Sequence, residues 1–153
     1  MTIILDIQSA SSSEDAPDEQ SIKRWVSAAI GSKTGDTELS VRIVDEPEGK
    51  LLNETYRGAS GPTNVLSFPF DNEIPEPLAL IGDIVVCAPV VKMEAQQQNK
   101  DLTAHWAHMI IHGVLHLLGY DHQNDSEAAT MEKLETEIMQ KLGFPPPYAC
   151  QQE

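Results

Sequence analysis

The stretch TAHWAHMIIHGVLHLLGYDH, residues 103–122, constrains the fold more than any other part of the chain. Wound as a helix at ~100° per residue, it gathers His105, His108, His112 and His116 into an arc of roughly 80°. Trp106, Ile110, Ile111, Val114, Leu115, Leu117 and Leu118 fill the rest of the useful circumference. A helix that is apolar on nearly every side must be covered by other elements. The pattern predicts a central helix from about Thr103 to Leu118 whose one polar stripe is made of imidazoles.

His112 and His116 are four residues apart, so both rings stand over one patch of the helix surface. Gly119 follows three residues later and His122 three after that. A glycine there can take a positive φ, end the helix and let the chain deliver His122 as a third nitrogen. The order H-x-x-x-H-x-x-G-x-x-H is the metal-binding skeleton of the metzincin proteases, with Gly113 where those enzymes carry a glutamate. Three imidazoles leave one tetrahedral position open, as in catalytic zinc sites. One zinc ion per chain is therefore the expected cofactor.

Gly113 has no side chain to serve as general base, which disfavours peptide hydrolysis by that route. Asp121, beside His122, is either a substitute acid or a turn cap. A bound zinc ion still acidifies water and polarises oxygen atoms. Phosphodiester cleavage can use both effects, provided that a cation holds the phosphate. His105 and His108 are either hydrogen-bonded core residues or part of the cleft lining.

Elsewhere the pattern is α+β. TIILDIQ and ELSVRIVDE read as strands, the second alternating Leu39, Val41 and Ile43 with polar residues. DEQSIKRWVSAAI reads as a helix with Asp18 as N-cap and Gly31 as stop. EPEGKLLNETYRG reads as a short helix with Pro47 in its first turn and Leu51, Leu52 and Tyr56 on one face. Val65, Leu66 and Phe68 begin a strand, DNEIPEPLAL reads as a loop or edge hairpin, and LIGDIVVCA is the most strand-like run. Pro89 opens another helix, and SEAATMEKLETEIMQKLG reads as the last, from an N-cap at Ser126 to Gly143. The expectation is one domain over residues 1–153: a roughly four-stranded mixed sheet, about five helices, and a poorly structured tail from about 144.

The charge works against a simple nucleic-acid binder. Ten Lys and Arg against 24 Asp and Glu give −14, which repels polyanions on average. Eight of those ten cations lie at or before Lys100, so a local basic groove stays open. Cys87 ends an apolar run and reads as a buried small hydrophobe, and Cys150 lies in a polar tail. Two isolated cysteines suit a reducing cytoplasm. The N-terminal MTIILDIQSA lacks a basic region ahead of its apolar run, so no secretory signal is expected. The longest apolar stretch is too short for a bilayer, so no membrane partner is expected.

HGVLHLLGYDH, the most specific of three motifs, together with NETYRGASGPTNVLSFPF and IGDIVV, resembles the bacterial YbeY endoribonucleases, the ribosomal RNA maturation factors. The resemblance runs from LLNETYR to ETEIMQKLGF. It implies His112, His116 and His122 as ligands of one metal, usually zinc, and Arg57 as the functional arginine of the cleft. A guanidinium is suited to that task because it grips phosphate oxygens through paired hydrogen bonds. Asn64, Ser67 and Asp83 are motif residues without an assigned role. Asp83, His108 and Asp121 are candidates to support the ligands from behind.

The resemblance further implies a metal-dependent, single-strand-specific endoribonuclease of rRNA maturation, notably at the 16S rRNA 3′ end, and of 70S ribosome quality control. Its implied partners are single-stranded RNA, rRNA and small-subunit components, with no DNA expected. Two alternatives stand beside it: a ribosome-assembly binding factor whose metal is structural, and a residual peptidase or other metal-dependent hydrolase.

Overall fold

The computed structural model describes residues 3–13, 16–31, 37–58, 61, 63–69, 80–120 and 124–147. Its elements follow in the order β1 (Ile3–Ser9), α1 (Glu19–Ile30), β2 (Thr37–Val44), α2 (Glu46–Arg57), β3 (Val65–Pro69), β4 (Leu80–Cys87), α3 (Ala88–Gln97), α4 (Leu102–Leu117) and α5 (Asp125–Lys141). The sheet order is β1-β2-β4-β3. β1, β2 and β4 are parallel and β3 runs antiparallel to β4. The expected α+β domain with a four-stranded mixed sheet and five helices is the one observed. Among the described residues no helix is long and apolar enough to cross a membrane.

Strand alternation divides the sheet into two unlike faces. Leu39, Val41, Ile43, Val65, Ile84 and Val86 point into the main core, where they meet α1, α4 and α5. Val44, Leu66, Val85 and Cys87 point the other way and form a smaller core with Leu52 of α2. α3 follows β4 directly and serves both cores, Val91 packing in the larger and Val90 in the smaller. Cys87 is buried as expected, and Cys150 lies outside the described residues.

α4 is the central helix. Its N-terminus is capped by the Asp101 carboxylate, which accepts from Ala104 N. Trp106, Ala107, Ile110, Ile111, Val114 and Leu115 are all buried. Its end is a Schellman motif: Tyr120 N donates to Leu115 O, Gly119 N donates to His116 O, and Gly119 has φ 104°. The glycine therefore ends the helix for the reason read from the sequence.

Gly113 has a packing explanation. A Cβ at that position would lie 3.0 to 3.3 Å from three side-chain carbons of Ile84. Next to it, Ser67 Oγ of β3 donates to Gly113 O at 3.2 Å. The helix thus sits against the sheet at Gly113, and a glutamate there would start its side chain into Ile84.

Three sequence expectations change. α5 is capped by Asn124, not Ser126: Asn124 Oδ1 accepts from Glu127 N, and its amide donates back to the Glu127 carboxylate. The reciprocal bonds satisfy a free helix-end N–H that Ser126, already inside the first turn, would leave open. In α2, Leu51, Leu52 and Tyr56 do not form one covered face: Leu51 is 63% and Tyr56 67% exposed, only Leu52 is partly buried, and the inward positions are Gly49 and Asn53. Gly49 is there because it packs on Cys87. Past α5, Phe144 stacks edge-on against Trp25 at 6.4 Å and Pro147 is buried, so residues 144–147 are held against the body. The DNEIPEPLAL loop and the end of the tail lie outside the described residues.

The tight contact at Gly113 makes a measurable prediction. Gly113→Leu should destabilise the fold by about 1–3 kcal/mol or more through overpacking. Urea unfolding of Gly113→Leu, Ile84→Ala and the double variant should show the double variant less damaged than the sum of the two singles. Simple additivity would place the contact elsewhere.

Candidate metal centre

The histidines of α4 form a row of rings. Centroids are 6.4 Å apart for His105–His108, 6.3 Å for His108–His112 and 4.6 Å for His112–His116. Burial declines along the row: His105 is 3% exposed and His108 7%, whereas His112 and His116 are partly exposed. The two inner rings are hydrogen-bonded core residues, and the two outer rings reach solvent from the last turns of the helix.

Two carboxylates serve this row. Glu94 of α3 faces His105 Nε2 at 3.0 Å and also accepts from the Asn64 amide at 3.0 and 3.2 Å. Asn64 in turn accepts from Val65 N and, through its backbone carbonyl, from Cys87 N. The motif asparagine thus ties the start of β3 to the β4–α3 junction. Burial pushes the Glu94 carboxyl up, but the hydrogen bonds from His105 and Asn64 outweigh it and hold the group below its ordinary value.

Glu135 of α5 is fully buried and lies against two imidazoles, His112 Nδ1 at 2.5 Å and His108 Nε2 at 3.3 Å. Burial again opposes ionisation, and the hydrogen bonds and charge of His108 and His112 overcome it, bringing the carboxyl down to about 2. With a carboxylate as acceptor, a neutral His112 ring makes this bond by carrying its proton on Nδ1, which leaves its lone pair on Nε2. That Nε2 faces His116 Nε2 at 3.1 Å.

This arrangement fits a metal. Two nitrogens bound to tetrahedral zinc at 2.0–2.1 Å lie about 3.3 Å from each other. His116 is in the last turn of α4, where the partial negative charge of the helix end favours a cation. Of the three expected ligands, His112 and His116 are brought together, and no third donor joins them among the described residues. His122 and Asp121 lie outside those residues, between Tyr120, bonded to the end of α4, and Asn124, the cap of α5.

Asp83 is on the opposite face of the sheet from α4. It accepts from Ser40 Oγ at 2.5 Å and lines an open groove with Arg42, Glu48, Tyr56 and Phe68. Arg57 is the last residue of α2, followed by Gly58 in the left-handed conformation. Beyond it Gly61 is held by Asn53, whose amide donates to Gly61 O at 2.7 Å, and by Glu54, which accepts from Gly61 N. Tyr56, beside Arg57, meets Phe68 edge-on at 5.4 Å. The neighbouring Ser67 points through to Gly113, next to His112. β3, an edge strand, is therefore the link between the end of α2 and the histidine helix.

Glu135 was not singled out from the sequence. In DSEAATMEKLETEIMQK it is one acid among several, and the available signal was its place on the same helix face as Met131, Ile138 and Met139. Glu94, the one acid of α3, was missed because its partners His105 and Asn64 lie 11 and 30 residues away.

The Glu94 cluster gives a pH prediction. A carboxylate held below its ordinary 4.5 contributes stability that is complete above that value and is lost as pH falls through the folded one. Wild type should therefore exceed Glu94→Gln in urea midpoint at neutral pH, and the difference should shrink below pH 4.5. A difference that stays constant with pH would show that the charge of Glu94 contributes nothing.

The family described as Endoribonuclease YbeY matches residues 6–143. The chain is also similar to a solved structure, the solution structure of TM1509 from Thermotoga maritima, at 26% identity and a TM-score of 0.59 over 96% of each chain. With the match spanning the sheet, Arg57, α4 and α5, the chain belongs to the YbeY endoribonuclease family.

Proposed function

We propose that this chain is a metal-dependent, single-strand-specific endoribonuclease of rRNA maturation, acting notably on the 16S rRNA 3′ end and in 70S ribosome quality control. Family membership supports the coarser part, an endoribonuclease of rRNA processing. The observation that carries metal dependence is the His112–His116 pair, with Nε2 atoms 3.1 Å apart and the Glu135 carboxylate against the far nitrogen of His112.

In this reading His112, His116 and His122 hold one zinc ion. The ion supplies Lewis acidity toward a phosphate oxygen or toward water. Arg57 grips the non-bridging oxygens of the scissile phosphate and stabilises the charge that builds there. The proteases' base is absent, and Gly113 cannot be replaced by it without meeting Ile84. Substrate orientation then falls to Arg57 and the β3 edge. The partners in this reading are single-stranded RNA and small-subunit ribosomal components, and the compartment is the cytoplasm.

A second reading, a ribosome-assembly binding factor with a structural metal, is favoured by the formal charge of −14. One assay separates the two. Wild type, Arg57→Ala and His116→Ala are compared on single-stranded RNA, with metal content measured on each sample. His116→Ala should lose both metal and cleavage. Arg57→Ala should keep its metal and lose cleavage by roughly 10²-fold or more, the scale for a donor to a developing anion. A wild type that carries metal but cleaves no RNA would establish the binding factor instead.

A further inference from the structure

We propose that Glu135 is a positioning residue of the metal centre, fixing the tautomer and ring orientation of His112 and thereby setting metal affinity from a helix that contributes no ligand. The proposal rests on the reading of His112 and His116 as ligands.

α5 carries Asp125, Glu127, Glu132, Glu135 and Glu137, and of these Glu135 alone is buried, with no exposed surface. A carboxylate in such surroundings is costly unless its charge and lone pairs are met. Here the two oxygens are divided. Oε1 takes His112 Nδ1 at 2.5 Å and Oε2 takes His108 Nε2 at 3.3 Å. The two rings approach with different nitrogens, so one carboxylate is enclosed by successive turns of α4.

For His112 the consequence is specific. Its ring cannot rotate about Cβ–Cγ without breaking the bond to Oε1, and its proton cannot move to Nε2 without leaving Nδ1 facing a carboxylate with no proton between them. Both restrictions present the Nε2 lone pair to the place that His116 Nε2 also faces. A carboxylate behind a ligand histidine also makes the imidazole a stronger donor to a metal. His108, buried and sharing the carboxylate, holds Glu135 from the other side.

A structural ion pair alone predicts lost stability when Glu135 is changed; a positioning residue predicts weakened metal binding in a folded protein. The full chain, stripped of metal, is titrated with Zn²⁺ against a chromophoric chelator as wild type, Glu135→Gln and His112→Ala. Glu135→Gln should bind zinc about 10–100-fold more weakly than wild type, the range for loss of such a partner. Far-ultraviolet circular dichroism should show it folded.

If Glu135→Gln binds as tightly as wild type while His112→Ala binds weakly, the proposal is overturned and the metal centre stands. If wild type and His112→Ala bind alike, the metal reading itself fails, and the proposal with it. The metal-free wild type provides a measurement that needs no variant: nitrogen-15 correlation spectra of its imidazoles should place the His112 proton on Nδ1. A proton on Nε2 would overturn the proposal.

Discussion

An imidazole taken out of water needs a hydrogen-bond partner, and α4 carries four of them into or beside the core. This requirement organises the surroundings of the helix. Glu94 brings α3 against the first ring, and Glu135 brings α5 against the second and third. Apolar packing by Ile110, Ile111, Val114 and Leu115 buries the other sides. Three of the four rings are met by these two carboxylates, so α3 and α5 are tied to α4 by specific bonds as well as by packing.

The same helix has to approach the sheet closely and leave its outer rings accessible. Gly113 allows the first by sitting against Ile84, and Ser67 completes the contact from β3. His112 is one residue away, turned by about 100°, and so faces outward. What reads in sequence as a protease motif lacking its base is, in three dimensions, a helix pressed against a sheet at the position where that base would start. Chemistry that depends on the missing glutamate is closed to this scaffold without repacking Ile84.

Much of the fold was legible because it rests on local patterns. Alternating Leu39, Val41 and Ile43 gave a half-buried strand, Asp18 and Gly31 bounded α1, and the apolar girth of α4 required a central position. Less legible were details that depend on competition between neighbours. Asn124 displaces Ser126 as cap because it bonds Glu127 in both directions. Leu51 faces solvent because close packing of α2 on Cys87 selects the Gly49 side. The roles of Asn64 and Ser67 also emerged only with their partners: one bonds Glu94, the other the backbone of Gly113.

By itself the sequence determined the histidine helix, its glycine stop and the pairing of His112 with His116, because helical spacing alone sets which side chains share a face. It determined Gly113 as an absence but gave no reason for it. Among the described residues, the tertiary structure decided which acids reach those histidines, placing Glu94 and Glu135 there and Asp83 on the far face of the sheet. That choice depends on how α3, α5 and β4 pack around α4, and such long-range contacts leave little periodic trace in any one segment. An acid on an acidic helix looks like its neighbours until burial removes its water and leaves two imidazoles in its place.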